Sequence, residues 1–155
     1  MADLKLLGGR PAFDKMVPVS QPTMPDYARF EARLRQVYAT GMITTAQFVS
    51  QLEKTMAEYL GVRNAVAVNS NTAGQLLTLK IWGLKGEVIL PSFSFCVTSH
   101  VLEWNGLKPV FVDIDPKTYN IDPKAVEAAI TPRTSAIMGM HLWGNPCRAD
   151  ELQAL

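Results

Sequence analysis

The sequence predicts an α/β fold of three layers, a mostly parallel sheet with helices on both faces. Two observations carry this. Four short apolar runs, at 65–68, 87–90, 110–112 and 136–140, alternate with stretches of helical periodicity. The runs are near-continuous in apolar residues rather than alternating, as expected of strands covered on both sides.

The elements follow in order. Residues 1–25 read as an irregular arm, because Pro11, Pro18, Pro22 and Pro25 would interrupt any regular element. Asp26 caps a first helix. Tyr27, Phe30, Leu34, Val37 and Tyr38 recur at its spacing, and Gly41 ends it. Thr44-Thr45-Ala46-Gln47 has the spacing of a capping box. Phe48, Leu52, Met56, Tyr59 and Leu60 line the next helix, which stops at Gly61. The β-branched run Val66-Ala67-Val68 reads as a first strand. It turns through Asn69-Ser70-Asn71-Thr72 into a helix carrying Leu76, Leu77, Leu79, Ile81 and Trp82, closed by Gly83.

A second strand at 87–90 is stopped by Pro91 and followed by the loop Ser92-Phe93-Ser94-Phe95. A helix runs from Cys96 to Trp104, ended by Gly106. The third strand, 110–112, leaves through Asp113-Ile114-Asp115-Pro116. Asp122 caps, and Pro123 opens, a helix reaching Ile130. The fourth strand, 136–140, leads through a loop at 142–146 to a helix starting near Ala149. That last stretch carries no stop signal, so residues 26–155 read as an incomplete domain, truncated at its C-terminus.

Composition narrows the function. The net charge is +1 and no Lys/Arg cluster appears, so a nucleic-acid surface is not indicated. No apolar run approaches the length of a membrane span, and the N-terminus lacks the apolar centre of a signal peptide. Cys96 and Cys147 have no Cys or His neighbour at metal spacing, and read as reduced thiols of a cytoplasmic protein.

Gly-x-Gly-x-x-Gly, the P-loop Gly-Lys-Ser/Thr and the Gly-x-Ser-x-Gly elbow are all absent. His100 and His141 have no acidic or thiol partner at ligand spacing, so no metal site is expected. His100 reads as structural, whereas His141 stands at the presumed ligand edge. Asp113 and Asp115 read as turn-shaping residues. Phe93 and Phe95 would point the same way if their segment were extended. They are either core or a ring for stacking on a flat cofactor.

In such sheets ligands sit at the carboxyl ends of strands. The loops 69–72, 92–95 and 141–147 would then be neighbours. The turn into the third helix suits an anion, because free backbone N–H groups and short hydroxyls meet at a helix N-terminus. It also suits an ordinary N-cap that binds nothing.

Six segments, taken together, resemble one family. They are Gly8-Gly9-Arg10-Pro11-Ala12-Phe13, the stretch from Leu52-Glu53 to Tyr59-Leu60-Gly61-Val62, and Ala65-Val66-Ala67-Val68-Asn69-Ser70-Asn71-Thr72-Ala73. Pro91-Ser92-Phe93-Ser94-Phe95, Pro109-Val110-Phe111-Val112-Asp113-Ile114-Asp115 and His141-Leu142-Trp143-Gly144-Asn145-Pro146 complete the set. In order and spacing the chain resembles the first part of the DegT/DnrJ/EryC1/StrS sugar aminotransferases.

The resemblance implies the aspartate aminotransferase fold (fold-type I), pyridoxal 5'-phosphate (PLP) as cofactor, and a homodimer. The reaction it implies is transfer of an amino group from an amino acid, usually glutamate, to a nucleotide-linked keto-sugar. Ser70, Asn71, Thr72 and Ala73 match the family's phosphate cradle, and Phe95 matches the aromatic that stacks on the pyridine ring. Position 71 is usually Gly; Asn tolerates the left-handed conformation Gly would adopt there. The lysine and the carboxylate that the cofactor's chemistry needs lie downstream in the family. Lys80, Lys85, Lys108, Lys117 and Lys124 read as solvated, so these 155 residues alone are expected not to transaminate. The rival readings are a PLP-dependent sugar dehydratase, a non-catalytic regulatory or binding module on the same fold, and a generic α/β domain.

Overall fold

The computed structural model describes residues 13–155, so most of the Gly8–Phe13 segment lies outside it. The described residues form two compact units, one ending at Ala65 and one running from Val66 to Leu155.

The first unit holds α1 (Tyr27–Thr40) and α2 (Gln47–Leu60). Residues 13–25 contain no helix or strand. The Asp26 side chain accepts the Arg29 N–H at 2.9 Å, the N-cap the sequence predicts. Gly41 and Gly61 close the two helices in the left-handed conformation. The capping box at Thr44 does not form. The cap of α2 is Ala46, which has no side-chain hydrogen bond, because the helix begins one residue after Ala46 and leaves Thr44 outside it.

The second unit is a three-layer α/β arrangement. Its strands are β1 (Glu87–Pro91), β2 (Lys108–Val112) and β3 (Thr134–Ile137), parallel throughout and ordered β2-β1-β3. Its helices are α3 (Asn71–Trp82), α4 (Val97–Trp104), α5 (Pro123–Ala129) and α6 (Ala149–Gln153). β1 is buried along its whole length. Val88 and Leu90 pack with Leu79 of α3 and Val101 and Leu102 of α4. Ile89, on the opposite face, packs with Val112, Ile121, Val126 of α5 and Leu152 of α6. Alternate residues of one apolar strand therefore feed two cores, which explains why its sequence does not alternate.

Residues 65–68 do not form the first predicted strand. A β-branched run becomes a strand only where a ladder offers it a place. Here β1 is flanked on both sides, the run joins neither free edge of the sheet, and Val66 is left 78% exposed. The fourth predicted strand is also shifted. It spans Thr134–Ile137, and Met138 continues it by a single N–H bond to the Ile89 carbonyl at 2.8 Å.

At the amino edge of the sheet Glu87 is 3% exposed and ties three elements together. It accepts from the Thr131 hydroxyl at 2.7 Å, from Arg133 at 3.0 and 3.1 Å, and from Lys108 at 3.1 Å. These partners hold its carboxyl at a pKa of about 2.

Candidate cofactor site

The sequence-predicted anion turn becomes the N-terminus of α3. Ser70 is extended (φ −162°, ψ 159°), and its hydroxyl accepts the Ala73 N–H at 3.2 Å. The Ser70 carbonyl takes the Gly74 N–H at 3.1 Å. The N–H groups of Asn71 and Thr72, which have no partner within a helix by geometry, are the donors left over. The first turn carries no acidic residue, so nothing opposes an anion there.

Asn71 is the first helical residue and is not in the left-handed conformation. Tolerance of that conformation is therefore not what admits Asn at this position. Its side chain accepts from Gln75 Nε2, one turn along the helix, and so is turned away from the helix end. The contribution Asn71 can make to an anion is its backbone N–H.

Beyond β1 the chain bends at residues 92–94, so Phe93 and Phe95 do not share the extended geometry that would align them. Phe95 is 72% exposed and belongs to none of the ring pairs among the described residues. An exposed ring on the carboxyl side of β1 can stack on a flat group. Phe93 instead meets two rings to which the sequence reading gave no site role. Its centroid lies 6.0 Å from that of Tyr119 and 5.8 Å from that of Trp143, and those two are 5.9 Å apart.

The loop after β2 was the missing neighbour. Because β2 pairs beside β1, residues 113–121 reach the same edge as the loops after β1 and β3. Asn120 fastens them. Its Nδ2 donates to the carbonyls of Asn145 at 3.0 Å and Pro146 at 3.1 Å, and its Oδ1 accepts the Leu142 N–H at 3.3 Å. No local pattern marks Asn120, whose partners lie some twenty-five residues away.

Asp113 and Asp115 shape the turn, as expected. The Asp113 carbonyl accepts from Asp122, and the Asp115 carboxylate accepts the Lys117 N–H at 2.8 Å. His141 follows β3 and uses Nδ1 to accept the Cys147 N–H at 3.1 Å. His100 lies on α4 beside Trp104, with ring centroids 6.1 Å apart. Lys108 is not simply solvated, since it pairs with Glu87. Among the described residues no His, Cys, Asp and Glu group could hold a metal, and both cysteines are free. No helix among them is long and apolar enough to cross a membrane.

The sequence profile of the DegT/DnrJ/EryC1/StrS aminotransferase family matches residues 26–155. The dTDP-4-amino-4,6-dideoxy-D-glucose transaminase of Escherichia coli is 41% identical over 143 residues, which are 92% of this chain and 38% of that protein. Among solved structures, DesI in the presence of its TDP-sugar product is 47% identical with a TM-score of 0.86, covering 99% of this chain and 39% of that one. The E. coli GDP-4-keto-6-deoxy-D-mannose-3-dehydratase with bound hydrated PLP is 32% identical with a TM-score of 0.80, covering 88% of this chain and 37% of that one. The chain thus spans less than half the length of these relatives.

Proposed function

The chain belongs to the DegT/DnrJ/EryC1/StrS aminotransferase family, and from that membership we propose that residues 26–155 begin the PLP-binding large domain of a nucleotide-sugar aminotransferase. The full-length protein moves an amino group from an amino acid, glutamate, to a keto-sugar carried on a nucleotide. It works as a cytoplasmic homodimer.

The observation that carries this reading is the N-terminus of α3. Its residues fit a phosphate monoester. The N–H groups of Asn71 and Thr72 and the hydroxyl of Thr72 supply donors, and the helix dipole favours the negative charge. Ser70 shapes the turn by capping Ala73, whose N–H it occupies. Phe95, exposed beyond β1, supplies the stacking ring. PLP, when bound, supplies the electron sink that lets an amino group leave one carbon and join another. This part of the chain anchors and orients: the cradle fixes the phosphate end and Phe95 covers one face.

A second reading keeps the cofactor and changes the outcome. Likeness to a GDP-sugar dehydratase favours it. One experiment separates the two. The full-length protein is incubated with PLP, glutamate and, in separate reactions, a dTDP-linked and a GDP-linked keto-sugar, and the product is weighed by mass spectrometry. An amino-sugar with matching 2-oxoglutarate supports the proposal. Loss of water from the sugar supports the dehydratase, and no product with either nucleotide-sugar class overturns both.

A further inference from the structure

We infer that Phe93, Tyr119 and Trp143 form a stacking subsite for the base of the nucleotide that carries the substrate. This rests on the nucleotide-sugar reading above. It adds a place for the flat ring, which neither the α3 cradle nor Phe95 provides.

Three observations converge. The rings come from three separate loops, one after each strand, and meet with centroids 5.8 to 6.0 Å apart. Among the described residues they are not a buried core: Trp143 is 78% exposed, and Phe93 and Tyr119 are about half exposed. Exposed aromatic faces held close together are what a planar heterocycle stacks on. Finally, the backbone is bent to present them. Tyr119 (φ 59°) and Trp143 (φ 52°) are the non-glycine residues with positive φ among those described.

A bulky side chain in that conformation is strained, and such strain persists where surrounding contacts enforce it, often at ligand clamps. Asn120 and Asn145 enforce it here. The Asn120 side chain bridges the two loops beside both strained residues, and Asn145 Nδ2 returns a bond to the Thr118 carbonyl at 3.2 Å. The rings are therefore positioned before any ligand arrives, which lowers the cost of binding.

The test uses the full-length protein and equilibrium binding of dTDP, of GDP, and of pyrophosphate, which has no base. Trp143→Ala and Phe93→Ala should each weaken dTDP and GDP roughly tenfold and leave pyrophosphate unchanged. Trp143→Phe, which keeps a ring, should retain most of the affinity and guards against simple misfolding. Unchanged nucleotide affinity in both alanine variants overturns the inference, as does an equal loss for pyrophosphate. A shift in sedimentation with nucleotide affinity intact also overturns it and assigns the rings to a subunit contact. PLP absorbance is read on the same samples. Loss of PLP binding with ring-dependent dTDP binding intact would count against the cofactor reading alone.

Discussion

Replacing Asn120 with Ala should loosen the loop after β3 while leaving the sheet intact. Asn120 is 4% exposed, and its side chain makes bonds of 3.0, 3.1 and 3.3 Å to that loop. A hydrogen bond contributes about 0.5–1.5 kcal/mol net. The groups left behind belong to exposed or half-exposed residues, so water can take the place of the lost amide. Three bonds near the lower half of that range give about 2 kcal/mol, or roughly a thirtyfold rise in loop opening. Amide hydrogen exchange at Asn145 and Cys147 reads this directly. Their own bonds, to the Leu142 carbonyl at 2.9 Å and His141 Nδ1 at 3.1 Å, lie inside the loop and are untouched by the substitution. Exchange rates that rise less than about threefold at both amides, under about 0.7 kcal/mol, would refute the claim that Asn120 holds the loop.

Leu90→Ala should cost about 2–5 kcal/mol, since the side chain is fully buried between β1 and its covering helices; urea denaturation measures it. Gly86→Ala should cost at least about 2 kcal/mol in the same assay, because φ is +89° and a Cβ would lie 2.5 Å from the Arg133 carbonyl oxygen. Glu87 has its pKa lowered to about 2 from 4.5, so its stabilisation is full above the unfolded value and drains away as pH falls from about 4.5 toward 2. The Tm gap between the wild type and Glu87→Gln should accordingly narrow over that interval. A gap that stays constant would show that Thr131, Arg133 and Lys108 do not hold the Glu87 carboxyl below its ordinary value.

Much of this architecture was legible because local chemistry and tertiary role agree. Asp26, Asp122 with Pro123, Gly61 and Gly83 act where the sequence places them, each fixing one helix end by a short-range rule. The run at 65–68 forms no strand among the described residues, because strand formation depends on a partner, and Val66-Ala67-Val68 says nothing about whether one is present. Thr44 was misread for a smaller reason: a cap must sit at the helix boundary, and the boundary lies at Gln47. Ser70 and its turn were legible as a helix N-terminus, although Asn71 enters it in helical rather than left-handed form. The ring cluster was not legible. Tyr119 and Trp143 meet Phe93 only because β2 lies beside β1, and sheet order is not written in any one segment.

On the proposed function, the N-terminus of α3 holds the phosphate of PLP. The most direct measurement is the PLP dissociation constant of full-length Thr72→Ala against wild type. Thr72 makes no side-chain hydrogen bond among the described residues, so its loss should spare the fold. Losing one hydrogen bond to a charged phosphate, about 1.5–3 kcal/mol, predicts PLP binding weakened by tenfold or more. An unchanged dissociation constant would contradict the cradle assignment and leave the turn as a helix cap alone.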